Sequence, residues 1–345
     1  MFFVNTTQDG ELLAKIRSSK TIWLTTHPQA DGDGLACQAA MAAALHTLGK
    51  TAKIMNFEAP GNKYRFLFER ATGRKLMVAV FDADIDPAPP ELILLFDTND
   101  FRLIASMAEW AKEQNVPIAV LDHHQGKPPP GTLTWTDTDA ASSGEVLLGL
   151  IEALGVTIDT PIATPLYASL VFDTQNFRFI RGSARSHAMA ARLLPLIREP
   201  EKIHESLFAN LTPTKLGFIA SSLSAMRIEA EGTLAVLVLY RAIFSRYGAD
   251  PSDSGDVIDM ALNVGSVKIA LLLREEESRD DTDSEVRWKV SMRSKRGFSV
   301  LNAAEALGGG GHANAAGATV VGDPTFIETR LKPLLLNEIR SKMGL

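Results

Sequence analysis

The sequence predicts an α/β protein: an N-terminal, mainly parallel-sheet domain with helices on both faces, a helical connector, and a smaller α/β domain. Three observations carry this. From about residue 20 to 125, short apolar runs rich in β-formers alternate with helix-like segments, the pattern of βαβ units and a mainly parallel sheet. Residues 183 to 230 read as helices rich in Ala, Leu, Arg and Glu. After Glu231-Gly232 the pattern changes to β-runs followed by a glycine-rich stretch. The expected boundaries are 1–185, 186–230 and 231–345, with no internal repeat or low-complexity tract.

The predicted strands are TIWLTT (21–26), TAKIMNF (51–57), ELILLFD (91–97) and VPIAVLD (116–122). Between them, LACQAAMAAALHTLGK (35–50) and FRLIASMAEWAKEQN (101–115) read as helices. Ligands in such folds collect beyond the carboxyl ends of the strands. Three of the four runs end there in polar clusters: HPQADGDG, DTND and DHH. Within THPQADGDG (26–34), Pro28, Gly32 and Gly34 argue against regular helix, so the helix is expected to begin near Leu35. Residues 142–155 predict a helix with a Ser cap and a closing Gly155. The run PIATPLYASLVFDTQNF (161–177) ends its apolar part at Asp173, and periodicity does not decide between helix and strand. In the last third, TLAVLVLY, SVKIALLL and VRWKVSMRS read as strands, and the acidic REEESRDDTDSE as an exposed hairpin loop. VLNAAEALGGGGHANAAG reads as helix running into four glycines, ATVVG follows, and a last helix is expected near 324–342.

With 46% hydrophobic and 22% charged residues over 345 positions, the composition is that of an ordinary globular chain long enough for two cores. A net charge of -6 argues against a protein that coats long duplex nucleic acid, which shows a basic footprint. Cys37 is the only cysteine, so no intramolecular disulfide forms, and it reads as a small buried hydrophobe. The first 20 residues lack the basic and apolar regions of a signal peptide, and no apolar run reaches the roughly 18 residues needed to span a bilayer. The expectation is a soluble, cytoplasmic protein with no membrane partner.

Six residues, His27, Asp31, Asp33, Asp97, His123 and Asp173, each follow an apolar run that should deliver them to one edge of the sheet. Four carboxylates facing one cavity repel unless protons or cations compensate them. Mixed carboxylate and imidazole ligands suit Mn²⁺, Mg²⁺ or Fe²⁺, and six are too many for one metal with an open position but suit two metals sharing carboxylates. Taken singly each has a plainer reading. Asp31 or Asp33 caps a helix, Asp97 and Asp173 are turn residues, and His27, His123 and His124 are hydrogen-bonded structural histidines. Their joint occurrence favours a dinuclear hydrolase.

These stretches resemble the motifs of the DHH phosphoesterase superfamily. His27-Pro-Gln-Ala-Asp31-Gly-Asp33-Gly is similar to its first motif, Asp97-Thr-Asn-Asp100 to its second, Asp122-His123-His124 to its third and Asp173-Thr-Gln-Asn-Phe-Arg-Phe to its fourth. Arg293-Ser-Lys and Gly308-Gly-Gly-Gly-His312-Ala-Asn-Ala-Ala-Gly317 resemble the C-terminal DHHA1 domain. Length and domain pair look most like the NrnA-like oligoribonucleases, which also remove the 3′-phosphate from 3′-phosphoadenosine 5′-phosphate (pAp).

The resemblance implies one metal on His27, Asp31, Asp97 and Asp173 and a second on Asp33, Asp97, His123 and Asp173. Asp122 would orient a histidine, and His124 would face the scissile phosphate or its leaving oxygen. It implies two divalent cations, Mn²⁺ before Mg²⁺, and in-line attack on phosphorus by a bridging hydroxide. The implied substrates are short single-stranded RNA or DNA oligonucleotides and pAp, with homodimerisation left open. Gln175 stands where the fourth motif commonly carries Gly, which puts the local backbone shape in question. In the C-terminal domain, Gly309, Gly310 and Gly311 suit an anion-binding turn, with His312, Asn314 and Arg293 as phosphate or base contacts. Arg178 is a further substrate candidate, while Lys295 and Arg296 read as solvated surface. Three other hydrolases share such motifs: a cyclic or linear dinucleotide phosphodiesterase, a RecJ-like exonuclease and a manganese-dependent pyrophosphatase. A nucleotide-binding module without catalysis would be expected to lack a metal ligand, and none of the six is missing.

Overall fold

The computed structural model describes residues 7–69, 76–82, 88–209, 211–276 and 286–344. The chain divides into two compact units, Met1–Asn210 and Leu211–Leu345. The first contains α1 (Thr7–Ser18), β1 (Thr21–Thr26), α2 (Gly32–Thr47), β2 (Thr51–Asn56), α3 (Arg65–Glu69) and β3 (Val78–Val80). It continues with β4 (Leu92–Phe96), α4 (Ala105–Glu113), β5 (Ile118–Asp122), β6 (Leu133–Thr136), α5 (Ser143–Ala153), α6 (Thr160–Asp173), α7 (Arg185–Leu193) and α8 (Pro200–Phe208).

Its six strands form one parallel sheet in the order β3-β2-β1-β4-β5-β6. Successive side chains of a strand point to opposite faces, and both faces are covered. Ile22, Leu24, Ile54, Leu92, Leu94 and Leu121 pack with residues of α1, α2, α5 and α6 such as Leu12, Leu35, Leu147 and Leu166. Trp23, Met55 and Ile93 pack with Met107 and Trp110 of α4. There the Trp23 and Trp110 rings stack at 4.9 Å and 7°. Burial on both sides explains why β4 reads as an unbroken apolar run rather than an alternating one. The two edge strands, β3 and β6, have only three and four residues and escape notice in the sequence. The strand order reverses between β1 and β4, so the connections leaving their carboxyl ends diverge and open a crevice above them.

One expectation needs correction, and one open reading is decided. The helix expected near Leu35 begins at Gly32, so Gly32 and Gly34 lie inside it. They are tolerated because first-turn N–H groups have no intrahelical partner and Asp31 caps them, its side chain accepting from the backbone N–H of Asp33 and Gly34. Close packing also favours glycine there. A Cβ on Gly34 would stand 2.3 Å from Thr26 Oγ1, and one on Gly32 2.5 Å from the Phe172 ring. The run 161–177, undecided between helix and strand, is helical as far as Asp173: α6 starts at the Asp159 cap and Pro161 and delivers Asp173 from its carboxyl end. The cap expected for α5 is Ser142, which accepts from Glu145 N–H, and Gly155 beyond its end has φ 80°.

The second unit contains α9 (Pro213–Ser224), β7 (Arg227–Glu229), β8 (Leu234–Leu239), α10 (Arg241–Tyr247), α11 (Ser254–Leu262), β9 (Ile269–Glu275) and β10 (Arg287–Ser294). It ends with α12 (Leu301–Glu305), β11 (Gly310–His312), β12 (Ala315–Val321) and α13 (Pro324–Met343). Its mixed sheet runs β11-β12-β10-β9-β8-β7, with only β8 and β9 parallel. One face buries Val236, Leu271, Val290 and Met292 against Ile327, Leu331 and Leu335 of α13. The other buries Ala235, Leu237 and Leu272 against Phe218, Phe244 and Val257 of α9, α10 and α11. Of the predicted acidic loop, residues 277–285 lie outside the described residues. Within 186–230, α7 and α8 fall in the first unit and α9 in the second.

Candidate metal centre

Five side chains reach the crevice from loops and helix starts that follow β1, β4 and β5, and one from the end of α6. Just after β1, His27 places Nε2 3.7 Å from Asp97 Oδ2, while its Nδ1 lies 2.8 Å from the Pro28 carbonyl. A carbonyl only accepts, so Nδ1 carries the proton and Nε2 is left with its lone pair. Asp31 spends Oδ1 on capping α2 and still joins His27 and Asp97 in one cluster able to hold a cation. The capping and clustering readings of this residue therefore both hold.

Asp33, in the first turn of α2, is fully buried and accepts from Ser143 N–H at 2.7 Å and from the Ser169 hydroxyl. The Ser143 N–H belongs to the first turn of α5, where unpaired donors and the helix dipole favour an anion. Ser143 also donates its hydroxyl to Asp97 Oδ1 at 3.0 Å. Asp97, immediately after β4, has a left-handed conformation with φ 61°.

The buried His123 follows β5. Its Nδ1 faces the Ala140 carbonyl at 3.2 Å, which again leaves Nε2 unprotonated. That Nε2 lies 3.3 Å from Asp173, 3.6 Å from Asp97 and 3.8 Å from Asp33, yet has no hydrogen-bond partner. A buried lone pair facing three carboxylates, all acceptors when ionised, is a poor arrangement for hydrogen bonding and a suitable one for a cation. Asp33, His123 and Asp173 form a second cluster of ligand atoms, and Asp97 with His123 and His124 a third.

The electrostatics agree. Burial, reinforced by the charges of Asp33, Asp31 and Asp173, raises the Asp97 pKa well above the ordinary 3.8. Burial and Asp33 do the same to Asp173, and burial raises Asp33. His123 is pushed down by burial, which keeps it neutral. The donor set, oxygen with imidazole and no thiolate, suits hard or intermediate divalent cations.

Asp122 is buried and holds four donors: His123 N–H at 2.8 Å, His124 N–H at 3.1 Å and His124 Nδ1 at 2.7 Å on Oδ1, and the Asn99 amide at 2.8 Å on Oδ2. Burial opposes its ionisation, but the hydrogen bonds and charge of His124, together with the charge of His123, outweigh it and the Asp122 pKa is lowered. The side-chain hydrogen bond to Asp122 raises the His124 pKa. With Nδ1 committed to Asp122, the nitrogen His124 has left for a ligand is Nε2.

The expected substrate residues sort differently. Arg178 belongs to the first unit, on the exposed segment after α6, with its guanidinium 5.6 Å from the Phe179 ring. Arg293, Gly309, Gly310, Gly311, His312 and Asn314 belong to the second. Arg293 and His312 both stand in register with Ala315, in one row across β10, β12 and β11. The Asn314 amide nitrogen is engaged internally, with Ser294 Oγ at 2.9 Å and the Phe298 carbonyl at 2.9 Å, so it holds the 294–298 turn. Lys295 likewise donates to the Val264 carbonyl at 2.7 Å rather than standing free in solvent. Gln175, with φ 47°, adopts the left-handed backbone that glycine would favour, as do Asn176 and Phe177 after it.

Sequence reasoning missed Ser143, Ser169, Asn99 and Arg181. Ser143 sat beside the recognised cap of α5 and Asn99 inside the recognised DTND stretch, whereas Ser169 and Arg181 carry no local signal because their partners are distant in the chain.

Residues 21–170 match the DHH family, N-terminal domain, and residues 232–342 match the DHHA1 domain. The chain belongs to the DHH/DHHA1 phosphoesterase superfamily. Members hydrolyse phosphoric ester bonds, and this chain is a hydrolase of that class. It is 28% identical over 303 residues to "Bifunctional oligoribonuclease and PAP phosphatase NrnA" of Thermus thermophilus, covering 87% of this chain and 84% of the relative. It is 24% identical over 319 residues to the protein of the same name in Bacillus subtilis, covering 90% and 92%. An exopolyphosphatase-related protein from Bacteroides fragilis shares the fold of this DHH/DHHA1 chain, with TM-score 0.85, 18% identity and 98% of both chains covered.

Proposed function

We propose that this DHH/DHHA1 chain degrades short oligoribonucleotides to mononucleotides and removes the 3′-phosphate from pAp, with two divalent cations, manganese first, at the carboxyl edge of its parallel sheet. The observation that carries this is the buried, unpartnered Nε2 of His123 facing Asp33, Asp97 and Asp173. The substrate class is that named for the two relatives, which align over most of the chain.

One cation would take His27, Asp31, Asp97 and Asp173, the other Asp33, Asp97, His123 and Asp173. Asp97 suits the shared position, since its two oxygens face opposite histidines: Oδ2 towards His27 and Oδ1 towards His123. Cations bound there supply a water nucleophile at neutral pH and offset the charge that develops on phosphate. The protein's own groups do the rest. Ser143 and Ser169 fix the Asp33 and Asp97 carboxylates, and Asp122 holds His124 with Nε2 directed away from its own carboxylate, where a proton can pass to a leaving oxygen. In the second unit, Arg293, His312 and the glycines are the proposed substrate contacts.

One assay series tests the proposal, run with Mn²⁺ on RNA dinucleotides to pentanucleotides, longer single strands, pAp, linear and cyclic dinucleotides, and pyrophosphate. Mononucleotide release is expected from the shortest oligomers, together with phosphate release from pAp, and both should vanish in Asp97→Ala. Activity confined to pyrophosphate or to cyclic dinucleotides, or unchanged in Asp97→Ala, would overturn it.

A further inference from the structure

We infer that Arg181 is a phosphate-binding residue of the DHH unit, gripping an oxygen of the substrate's phosphate beside the metal cluster; this rests on the proposed phosphoester substrate. Nothing in the four motifs includes this residue. It lies eight positions beyond Asp173, on the segment that leaves α6.

Charge balance creates the need. Four aspartates, Asp31, Asp33, Asp97 and Asp173, offset two divalent cations, so a loaded centre has little surplus positive charge with which to hold an anion. A fixed guanidinium at the rim supplies it, and its planar fork matches phosphate geometry. Arg181 is placed for this. Its Nη1 donates to the Thr138 carbonyl at 2.5 Å, and its Nη2 comes within 3.3 Å of His123 Nδ1. The residue is nevertheless exposed.

The contact with His123 is not itself a reason for the residue. His123 Nδ1 donates to the Ala140 carbonyl, and a second donor aimed at that nitrogen adds no hydrogen bond in that tautomer. The backbone at Arg181 is left-handed, φ 49°, a conformation a glycine would adopt with less steric cost. An arginine held there by a backbone carbonyl, exposed on one side and beside the ligands on the other, is best explained by an anion.

The test uses Arg181→Gln and Arg181→Lys in the full chain loaded with Mn²⁺. Calorimetry measures binding of inorganic phosphate, and electron paramagnetic resonance measures Mn²⁺ affinity and stoichiometry. Arg181→Gln should weaken phosphate binding and raise KM for pAp by about 10- to 100-fold, the effect of losing one hydrogen bond to a charged group. Mn²⁺ binding should stay at the wild-type level, and Arg181→Lys should recover part of the loss. Unchanged phosphate affinity in Arg181→Gln overturns the inference. So does a parallel fall in Mn²⁺ affinity, which would make Arg181 a positioning residue for His123. A wild-type protein that binds phosphate through Arg181 but turns over neither pAp nor oligoribonucleotides would overturn the proposed function and leave this inference standing.

Discussion

Asp97 concentrates the cost of the centre in one residue. It is 5% exposed, held at φ 61°, and surrounded by the charges of Asp33, Asp31 and Asp173. A non-glycine residue pays about 1–2 kcal/mol for that backbone conformation, which persists where surrounding structure over-determines it. Here the Ser143 hydroxyl and the ladder bond from Asp97 N–H to the Leu121 carbonyl do so. A pH dependence follows. The folded-state pKa values of Asp97 and Asp173 lie above the ordinary 3.8, so these groups contribute stability below that value and lose it as pH rises through their raised pKa values. In chelator, the melting temperature should therefore fall as pH rises from about 4 towards neutrality, and saturating Mn²⁺ should remove most of that fall. Identical pH profiles with and without Mn²⁺ would contradict the assignment of these carboxylates as ligands.

Among elements, the glycine-rich hairpin of β11 and β12 holds glycines that backbone packing requires and one that it does not. A Cβ on Gly309 would lie 2.1 Å from the Gly317 carbonyl oxygen, and one on Gly311 2.5 Å from the Ala315 oxygen, with Gly311 also at φ 140°. Both are demanded by backbone packing. Around Gly310 nothing lies within 4 Å of the same atom, and the fold does not require its lack of a side chain. Gly310→Ala should fold with an unchanged melting temperature and raise KM for short oligonucleotides, whereas Gly309→Ala and Gly311→Ala should be destabilised, on the order of several kcal/mol by the criteria for overpacking and strain. Wild-type kinetics in Gly310→Ala would remove that glycine from substrate binding. Elements also show where sequence reading stops. The four strand runs declared themselves through β-rich apolar stretches, but α6 is apolar on nearly every side because α2, α5, α7 and α8 surround it. Burial all round erases the periodicity that distinguishes helix from strand.

At the scale of the molecule, each unit has its own sheet and its own core, and all six ligand candidates lie in the first. Mn²⁺ stabilises whatever binds it by mass action, about 2.7 kcal/mol per site at a hundredfold excess over Kd. Scanning calorimetry of the full chain should accordingly resolve a transition that Mn²⁺ moves upward and one that it leaves in place. A single transition shifting as a whole would show that the units unfold together.

The sequence by itself determined the α/β class, the strand runs and the identity of the six candidate ligands, because apolar patterning and polar residues at the ends of strands are local signals. Only the tertiary structure decided that Gly32 and Gly34 begin a helix, that Asp173 arrives on one, and that Ser143, Ser169 and Arg181 stand beside the cluster. Those placements depend on partners distant in the chain: Asp33 is 110 residues from Ser143 and 136 from Ser169, and Arg181 is 58 from His123. No local pattern records which distant donor will meet a buried carboxylate; packing of the helices onto the sheet does.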